Sequence, residues 1–491
     1  MEMDRISDLP EPIRSHILDF LPMEDAFRTS ILSRQWRYVC FSLSNLTFDQ
    51  HSFMQKNYGD LADNLNFDQF SFMQKKNSGE YADFVNRILS HHDGSAIINF
   101  EVNNNDYMYP VSAPDVNAWI SYAVDHNVQK LRIHGFSTIY DAELSGGLFT
   151  CISLTSIYDA ELSGGLFTCI SLTSLTLEKV GLDLPRTVGF PLLKTLKLDD
   201  VYIPCENSIN KLFSNCPVLE NLAIRRCSFL SCNCREPLNI FVPSLKRLSL
   251  LFMHYHKKTN ISAPNLKQFA CLGLPPDISL ETLLSLRTAS FIWSVTRSDQ
   301  RASYIHSAHK IVAGLRNVTE LCLYDFYIEA LTSRDPVCLP TYSTLKHLHL
   351  HMLPIENQVQ AVIILLKRTP NLQTLGIYVM MRKTMQDTLV EKEYWQPQEL
   401  YSVHTLNHLK LLKIESLQGT ESEFRLLRHL FENGNAIERM NICYSKEMTE
   451  AGRTGFSEKL MKLARVSTEV EISAGDDSYK PHPHAFKWLT F

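Results

Sequence analysis

The sequence has no long apolar run, which argues against a membrane-spanning segment. The longest aliphatic stretch, AVIILL at 361–366, is far shorter than the roughly 20 residues that a spanning helix needs. The start, MEMDRISDLPEP, carries acids and prolines where a secretory signal has a basic end and an apolar run. We therefore expect a cytoplasmic and/or nuclear protein whose 12 cysteines are reduced thiols.

The chain also lacks an excess of charge and the signatures of common enzymes. Its net charge is -5, whereas nucleic acid and anionic membranes attract a basic surface, so neither is an expected partner. No G-x-S-x-G elbow, P-loop, H-E-x-x-H pair or dinucleotide glycine fingerprint occurs. Cys232 and Cys234 form C-x-C without a second pair at zinc-ligand spacing. The sequence thus predicts a protein that is not an enzyme and that holds no metal and no cofactor.

A leucine pattern, L-x-x-L-x-L-x-x-[C/V/F/L]-x-L, recurs along the chain instead. Full copies begin at Leu172, Leu193, Leu219, Val318 and Leu345. Shorter echoes include SLKRLSL at 244–250 and NLKQF at 265–269. From the first three full copies through these two echoes, the second apolar positions are 175, 196, 222, 248 and 269, which are 21, 26, 26 and 21 residues apart. This spacing is typical of leucine-rich repeats.

Each repeat predicts one short strand of a parallel sheet, with alternate leucines facing inward and the x residues facing solvent. A single unit cannot bury its apolar side, so neighbouring units must stack. Cys227 falls in a small buried slot at the end of a strand, where a free cysteine fits well. The pattern blurs between 269 and 318. We therefore predict an α/β fold in which an irregular solenoid carries helices or loops on its outer side.

Residues 4–44 change from strand to helix periodicity. Four apolar residues fall on one face of a helix, at i, i+4, i+5 and i+8: Ile13, Ile17, Leu18 and Leu21. Pro12 can start this helix and Pro22 must end it. The next stretch puts four residues on one side of a second helix: Ala26, Phe27, Ser30 and Ile31. About forty residues cannot bury enough apolar surface to be stable alone, so the spare apolar side needs the solenoid or another protein as a partner.

The order of motifs resembles one plant family. The N-terminal module contains, in chain order, Leu9-Pro10, Leu21-Pro22, Arg28-Thr29-Ser30, Leu32-Ser33 and Arg34-Gln35-Trp36-Arg37. This series is similar to the F-box of plant F-box proteins. Near the C-terminus, YWQPQEL and HLKLLKIESLQGTESEFRLLRHLFENGNAIERMNI resemble an FBD region. The chain thus resembles plant F-box/FBD/leucine-rich-repeat proteins over nearly its whole length.

The resemblance implies a non-catalytic substrate-recognition subunit of an SCF-type ubiquitin ligase. The F-box would dock on the ligase adaptor protein, and through it on a cullin, while the repeats would hold a protein substrate of unknown identity. The residues that would form or support the docking surface are Leu9, Pro10, Ile13, Ile17, Leu18, Leu21, Pro22, Leu32 and Trp36. The alternative is a free-standing leucine-rich-repeat scaffold or inhibitor, with the N-terminal helices as a cap on the solenoid.

The solvent-facing strand positions are the candidate substrate surface, expected on the concave side of the solenoid. Their mixed charge favours a protein over a polyanion. The candidates are Lys197, Arg225, Arg247, Tyr324, His347, His349, His351, Tyr378 and Lys413. The three histidines recur at period 2 and so face the same way. A metal or pH-sensitive contact is one interpretation of them, but solvated histidines on a polar face are favoured.

Two duplications affect the predicted domain organisation. IYDAELSGGLFTCISLTS occurs at 139–156 and again at 157–174, and the segment 48–63 is echoed at 67–83. The first copy of the exact repeat would put Asp159 in a slot that should be buried, so we predict that the second copy enters the sheet and the first loops out. The predicted boundaries are 4–44 for the F-box module, 45–127 for a linker with the duplicated segment and the start of the solenoid, 128–390 for the repeats, 391–474 for the FBD region and 475–491 for a tail.

Overall fold

Short parallel strands recur through the chain at the positions of the leucine pattern. The computed structural model describes residues 6, 8–58, 67–104, 111–135, 164–182, 184–185, 187–203, 206–229, 237–251, 259–273, 278, 280, 283–293, 301–331, 339–380, 406–463 and 469–474. Within it, Met1–Glu236 and Pro237–Phe491 form two compact units.

The first unit begins with a small helical module. Its helices are α1 (Glu11–Leu18), α2 (Met23–Arg28), a 3-10 turn (Thr29–Ile31) and α3 (Arg34–Phe41). Pro12 lies in the first turn of α1, where its missing N–H costs nothing. The side chain of Ser33 caps α3 by accepting the backbone N–H of Trp36 at 3.3 Å. Because α1 ends at Leu18, Leu21 lies outside it, and the predicted continuous helix face up to Pro22 is wrong.

Strands β1 to β8 complete the first unit. They are β1 (Asn45–Asp49), β2 (Asn99–Asn103), β3 (Lys130–His134), β4 (Ser174–Glu178), β5 (Thr195–Asp199), β6 (Tyr202–Ile203), β7 (Asn221–Arg225) and β8 (Ser228–Phe229). The helices between them are α4 (Gln50–Tyr58), α5 (Phe67–His91), α6 (Ala113–Asp125), a 3-10 helix (Gly164–Thr168) and α7 (Glu206–Ser214). The order β1-β2-β3-β4-β5-β7 is parallel throughout, and β6 pairs with β8. The sheet therefore starts at Asn45, inside the segment 45–127 for which a linker and the start of the solenoid are predicted.

The register stacks inward-facing apolar residues into continuous rows. One row runs through Leu46, Phe100, Leu131, Leu175, Leu196 and Leu222. Every member of that row is at most 2% exposed. The prediction that alternate leucines face inward is confirmed in this unit.

Tight turns end the strands of the first unit. Lys179, Asp200 and Arg226 follow β4, β5 and β7 and have φ angles of 51°, 56° and 48°, in the left-handed region. Gly135 follows β3, and a Cβ there would lie 2.7 Å from the carbonyl oxygen of Lys179, which only glycine avoids. Cys227 comes next after such a turn and is fully buried, as predicted. Its Sγ lies 3.2 Å from the Arg225 carbonyl oxygen, and burial raises the pKa of the thiol to about 12.

The second unit continues the same construction. Its strands are β9 (Leu238–Phe241), β10 (Arg247–Leu251), β11 (Thr259–Ser262), β12 (Gln268–Leu272), β13 (Thr288–Ile292), β14 (Glu320–Tyr324), β15 (His347–Met352), β16 (Thr374–Val379), β17 (Leu411–Leu417), β18 (Arg439–Tyr444) and β19 (Glu469–Ala474). Its helices are α8 (Arg301–Gly314), α9 (Asp325–Ala330), α10 (Glu356–Lys367), α11 (Glu421–Asn433) and α12 (Glu450–Leu463). Strands β10 and β12 to β19 are parallel in chain order, and β9 pairs with β11.

These elements confirm an α/β repeat solenoid with irregular helical connections. Strands β17 to β19 and their helices extend the sheet, as predicted for the FBD region. One repeat departs from the strand pattern, because Phe326 and Ile328 lie in α9, where both are fully buried.

The copies of the duplicated segments form different structural elements. The second copy of the exact repeat leads directly into β4, which pairs with β3. The first copy, 139–156, lies outside the described residues, so its predicted looping out stays a prediction. In the other duplication, the first FDQ ends β1 and begins α4, whereas the second FDQ begins α5.

None of the helices in the described residues has the length and apolar character that crossing a membrane requires.

The start of α11 is fixed by a buried carboxylate. The Thr420 hydroxyl accepts the Glu423 N–H at 3.2 Å, while the Glu423 carboxylate accepts the N–H groups of Thr420 at 2.6 Å and Gln418 at 3.0 Å. These reciprocal bonds between the N-cap and the N3 residue form a capping box. Glu423 is only 4% exposed, so water cannot replace these bonds.

We predict that Glu423→Ala lowers the free energy of unfolding by about 2 to 3 kcal/mol, because two donors lose their acceptor. Thr420→Ala should cost about 1 kcal/mol, the usual value of an N-cap. Urea unfolding followed by circular dichroism measures both. The control is Glu421→Ala on the exposed side of the same helix, which should change stability little. Equal unfolding midpoints for the Glu423 and Glu421 variants would contradict the assignment.

Candidate functional site

The inner side of the N-terminal module is a small closed core. Leu18, Met23, Ala26, Trp36 and Val39 are each at most 6% exposed. Around this core, Arg14 Nη1 donates to Gln35 Oε1 at 3.0 Å. The module thus has a fixed shape and presents a defined outer side.

The module is fixed to the first strands of its own unit. The Phe41 ring lies 5.3 Å from the His91 ring at the end of α5. The Asp93 N–H donates to the Phe41 carbonyl at 2.9 Å, and the Ile98 N–H donates to the Ser44 carbonyl at 2.8 Å. The module is therefore attached to the chain that surrounds the first strands of the sheet.

The outer side of the module is apolar and uncovered. Eight of the fifteen large apolar side chains that are exposed in the described part of the chain lie between Ile6 and Tyr38. We call these eight the N-terminal apolar surface: Ile6, Ile13, Ile17, Phe20, Leu21, Ile31, Leu32 and Tyr38. Phe20 and Ile31 are the most exposed, at 76% and 80%. Such a concentration is unusual for a surface that only water covers.

The predicted docking residues divide between the two sides. Six are exposed, namely Pro10, Ile13, Ile17, Leu21, Pro22 and Leu32. Leu9 is half-buried, and Leu18 and Trp36 are buried beneath the surface, where they can only support it. Four exposed residues were missed: Ile6, Phe20, Ile31 and Tyr38. Ile31 was expected on the same side as Ser30, but the 3-10 turn buries Ser30 and exposes Ile31.

In the first unit, the face of the sheet opposite the inward-facing apolar rows carries polar side chains that bond to one another. The register aligns Asp49, Asn103, His134, Glu178, Asp199 and Arg225 across six strands. The candidates Lys197 and Arg225 lie on this face and are half-buried.

Glu178 is the centre of the polar network on this face. It receives a bond from His134 Nδ1 at 2.7 Å and one from Arg132 Nη2 at 2.9 Å. The bond from His134, and then the charge of Arg132, lower the pKa of Glu178 to about 2, although burial opposes the shift. The network therefore holds these side chains in fixed positions at neutral pH.

In the second unit, much of the same face is apolar and buried. Leu251, Ala270, Ile292, Cys322 and Tyr324 form one cluster, each at most 5% exposed. These residues occupy the x positions of the repeat pattern, which alternate with the inward-facing residues and were expected to face solvent. The expectation that Tyr324 faces solvent is therefore wrong, because its side chain is only 5% exposed within this cluster.

The three histidines of β15 have different environments. His347 Nδ1 bonds to Thr374 Oγ1 at 2.8 Å, and the His349 ring packs so closely over Gly376 that a Cβ there would lie 2.8 Å from its Nδ1. His351 is 3% exposed and stacks on Tyr324 with ring centroids 4.0 Å apart. Solvated histidines were favoured from the sequence, and for His351 that interpretation is wrong.

The remaining candidates stay accessible. Half-buried side chains are found at Arg247, His347, His349, Tyr378 and Lys413. Lys413 Nζ pairs with Glu415 Oε1 at 2.5 Å. Cys232 and Cys234 lie outside the described residues. Among the described residues, no group of three or more His, Cys, Asp or Glu side chains is arranged to hold a metal ion.

We predict that Glu178→Gln lowers the free energy of unfolding by about 1 to 2 kcal/mol at neutral pH, after allowance for the half-exposed Arg132. The folded-state pKa lies below the ordinary 4.5, so this stabilisation is present above pH 4.5 and is lost as the pH falls toward 2. The difference in unfolding free energy between wild type and variant, measured against pH, should therefore shrink on acidification.

Glu438→Gln is the matched control for Glu178→Gln. Glu438 is 68% exposed and pairs with Lys410 at 3.1 Å, so its loss should change stability by less than about 0.5 kcal/mol. If Glu178→Gln lowers the unfolding free energy no more than Glu438→Gln does at every pH, the stabilising role of the Glu178 network is contradicted.

Comparison with known proteins relates both parts of the chain to known families. The family model "At1g61320/AtMIF1, LRR domain" matches residues 88–463, and the F-box domain model matches residues 6–48.

Individual relatives match the same parts. The chain is 26% identical to "F-box/LRR-repeat protein At2g42730" of Arabidopsis thaliana, over 96% of this chain and 97% of that protein. It is 32% identical to "FBD-associated F-box protein At4g10400" of the same plant, over 50% of this chain and 51% of that protein. "F-box/LRR-repeat protein At4g14096" is 24% identical over 94% of this chain and 92% of its own length. With a repeat model that covers more than half of its length and an F-box model over its N-terminal module, the chain belongs to the family of F-box/leucine-rich-repeat proteins.

Proposed function

We propose that the protein is the non-catalytic substrate-recognition subunit of an SCF-type ubiquitin ligase. In this function, the N-terminal apolar surface docks on the ligase adaptor protein, which in turn joins the chain to a cullin. The repeat sheet holds the protein substrate. The observation that carries the proposal is a helical module that has its own buried core and leaves eight large apolar side chains exposed.

The energetics favour a protein partner for that surface. Complete burial of one Ile, Leu or Phe side chain stabilises a complex by about 1.5 to 3 kcal/mol. Several such side chains together exceed the entropic cost of association, even after losses at the rim of the interface. Because the buried core beneath already fixes the module, little ordering remains to be done on docking.

The mechanism needs no chemistry from this chain. A bound substrate is held near a ubiquitin-charged enzyme on the same assembly, which raises the effective concentration of its lysines. The catalytic groups belong to other subunits. We propose a cytoplasmic and/or nuclear location, where such assemblies meet their substrates.

The substrate surface is proposed on the accessible parts of the sheet. In the first unit these are the side chains around Lys197, Arg225 and the Glu178 network. In the second unit they are Arg247, His347, His349, Tyr378 and Lys413. The first group carries charges of both signs, and in the second group Lys413 is paired with the carboxylate of Glu415 beside neutral polar groups. Such mixed surfaces suit the varied surface of a folded protein.

We predict that Ile17→Asp and Leu32→Asp each weaken binding to the purified ligase adaptor at least about tenfold, because a carboxylate would be buried in an apolar interface. Both residues are exposed, at 37% and 64%, so the module should still fold. Isothermal titration calorimetry with the adaptor measures the change, and circular dichroism checks the fold.

Leu192→Asp supplies the matched control. Leu192 is 52% exposed in the same unit but lies outside the module, so its variant should bind the adaptor like wild type. Unchanged adaptor binding by both module variants would favour the alternative function, a free-standing scaffold or inhibitor whose N-terminal helices serve only as a cap.

A further inference from the structure

A leucine-lined groove lies in the second unit, away from the predicted substrate face. It encloses about 280 Å³ between the chain leading into β13 and the chain that joins α8 to β14. Its floor consists of five aliphatic side chains, each at most 3% exposed: Leu280, Leu283, Leu286, Leu315 and Val318. Leu284 stands at its mouth and is 68% exposed.

Two other clefts in the described part of the chain lie on the predicted face and are much smaller. One contains His349 and Tyr378, the other Arg247 and Ser290, and each encloses about 10 Å³. Neither has room for a side chain of a partner. The leucine-lined groove is therefore the more suitable place for an inserted group.

The mouth of the groove is basic. Arg287 Nη1 donates to the carbonyl oxygens of Leu284 and Leu286, both at 3.3 Å, which fixes the guanidinium beside the opening. Arg316 lines the groove and is exposed. Lys267 is also exposed and occupies the equivalent position on the neighbouring strand, because its carbonyl accepts the Arg287 N–H at 2.9 Å.

Within the part of the chain that the structure describes, these cations have no acidic partner. Lys267, Arg287 and Arg316 take part in none of the ion pairs formed by the described residues. Lys267 and Arg287 directly precede the paired strands β12 and β13, where backbones run about 4.8 Å apart, so two like charges, which repel each other, occur at neighbouring positions. An acidic partner would remove this repulsion and would also be steered toward the opening.

We propose that the groove and its basic mouth bind an acidic segment of a substrate protein, with one aliphatic side chain of that segment inserted among the leucines. The inference rests on the proposed function, because it takes the second unit to be a substrate receptor. A volume of about 280 Å³ is below the usual range for cofactor and drug-sized ligands, about 300 to 1,000 Å³, and suits a single side chain. The lining offers no aromatic platform for nucleic acid bases, so a polypeptide fits better than single-stranded nucleic acid.

The test uses the full chain and a fluorescent synthetic peptide with a central Leu flanked by Asp and Glu. Two altered peptides accompany it, one with the Leu replaced by Asn and one with all acids replaced by Lys. Fluorescence anisotropy should show micromolar binding of the acidic Leu peptide, and about tenfold weaker binding of both altered peptides.

Two variants and two matched controls locate the binding. Leu284→Asp at the mouth and Lys267→Glu at the rim should each weaken binding of the acidic Leu peptide about tenfold. Leu192→Asp and Lys194→Glu change exposed residues just before β5 in the first unit, so they should bind within about twofold of wild type. Because all four positions are exposed, equal thermal unfolding midpoints are expected.

Several results would overturn the inference. These are equal binding of the three peptides, equal binding by all the variants, or tighter binding of a single-stranded oligonucleotide than of the acidic Leu peptide. Adaptor affinity, measured on the same preparations, tests the proposed function separately. If the chain binds the adaptor but not the acidic Leu peptide, only the proposed groove is refuted. If it binds the peptide but not the adaptor, only the proposed ligase function is refuted.

Discussion

The whole molecule depends on the stacking of apolar rows across parallel strands. Each strand contributes two or three inward side chains, which is too few to form a core. The row from Leu46 through Phe100 to Leu222 is buried because its members pack against one another from strand to strand, beginning at the edge strand β1. The strands must therefore keep register, and the tight left-handed turns at Lys179, Asp200 and Arg226 let the chain leave each strand at the same level.

The same requirement explains why the N-terminal module has two unlike sides. The row of inward residues begins at β1, and the module packs over that beginning through Phe41 and Ser44. A module of this size has more apolar side chains than one contact can bury. The surplus, from Ile6 to Tyr38, remains at the surface. The module thus combines a side that contacts its own chain with a surface that carries exposed apolar side chains, and the proposed adaptor docking concerns only the second.

The face of the sheet opposite the inward-facing apolar rows differs between the two units for a physical reason. In the first unit it carries charges that satisfy one another, as Arg132, His134 and Glu178 do, so it can stay in water. In the second unit the residues at equivalent positions include Ala270, Ile292 and Cys322, which are more stable when buried. Tyr324 and His351 stack within this buried part. Half-buried groups such as His349, Tyr378 and Lys413 remain on later strands of the second unit, and the exposed cations Lys267 and Arg287 lie just before β12 and β13.

The sequence by itself determined the repeat period, the inward direction of alternate leucines and the burial of Cys227, because each depends on neighbours within one repeat. It also identified the N-terminal module and six of its exposed residues. Only the tertiary structure decided that FDQ ends a strand at 48–50 and begins a helix at 67–69, that Ile31 is exposed while Ser30 is buried, and that His351 is covered. It alone brought Leu280 and Val318 to one groove. Periodicity records which side of an element is apolar, but exposure depends on what packs there from elsewhere in the chain, and no local pattern contains that information.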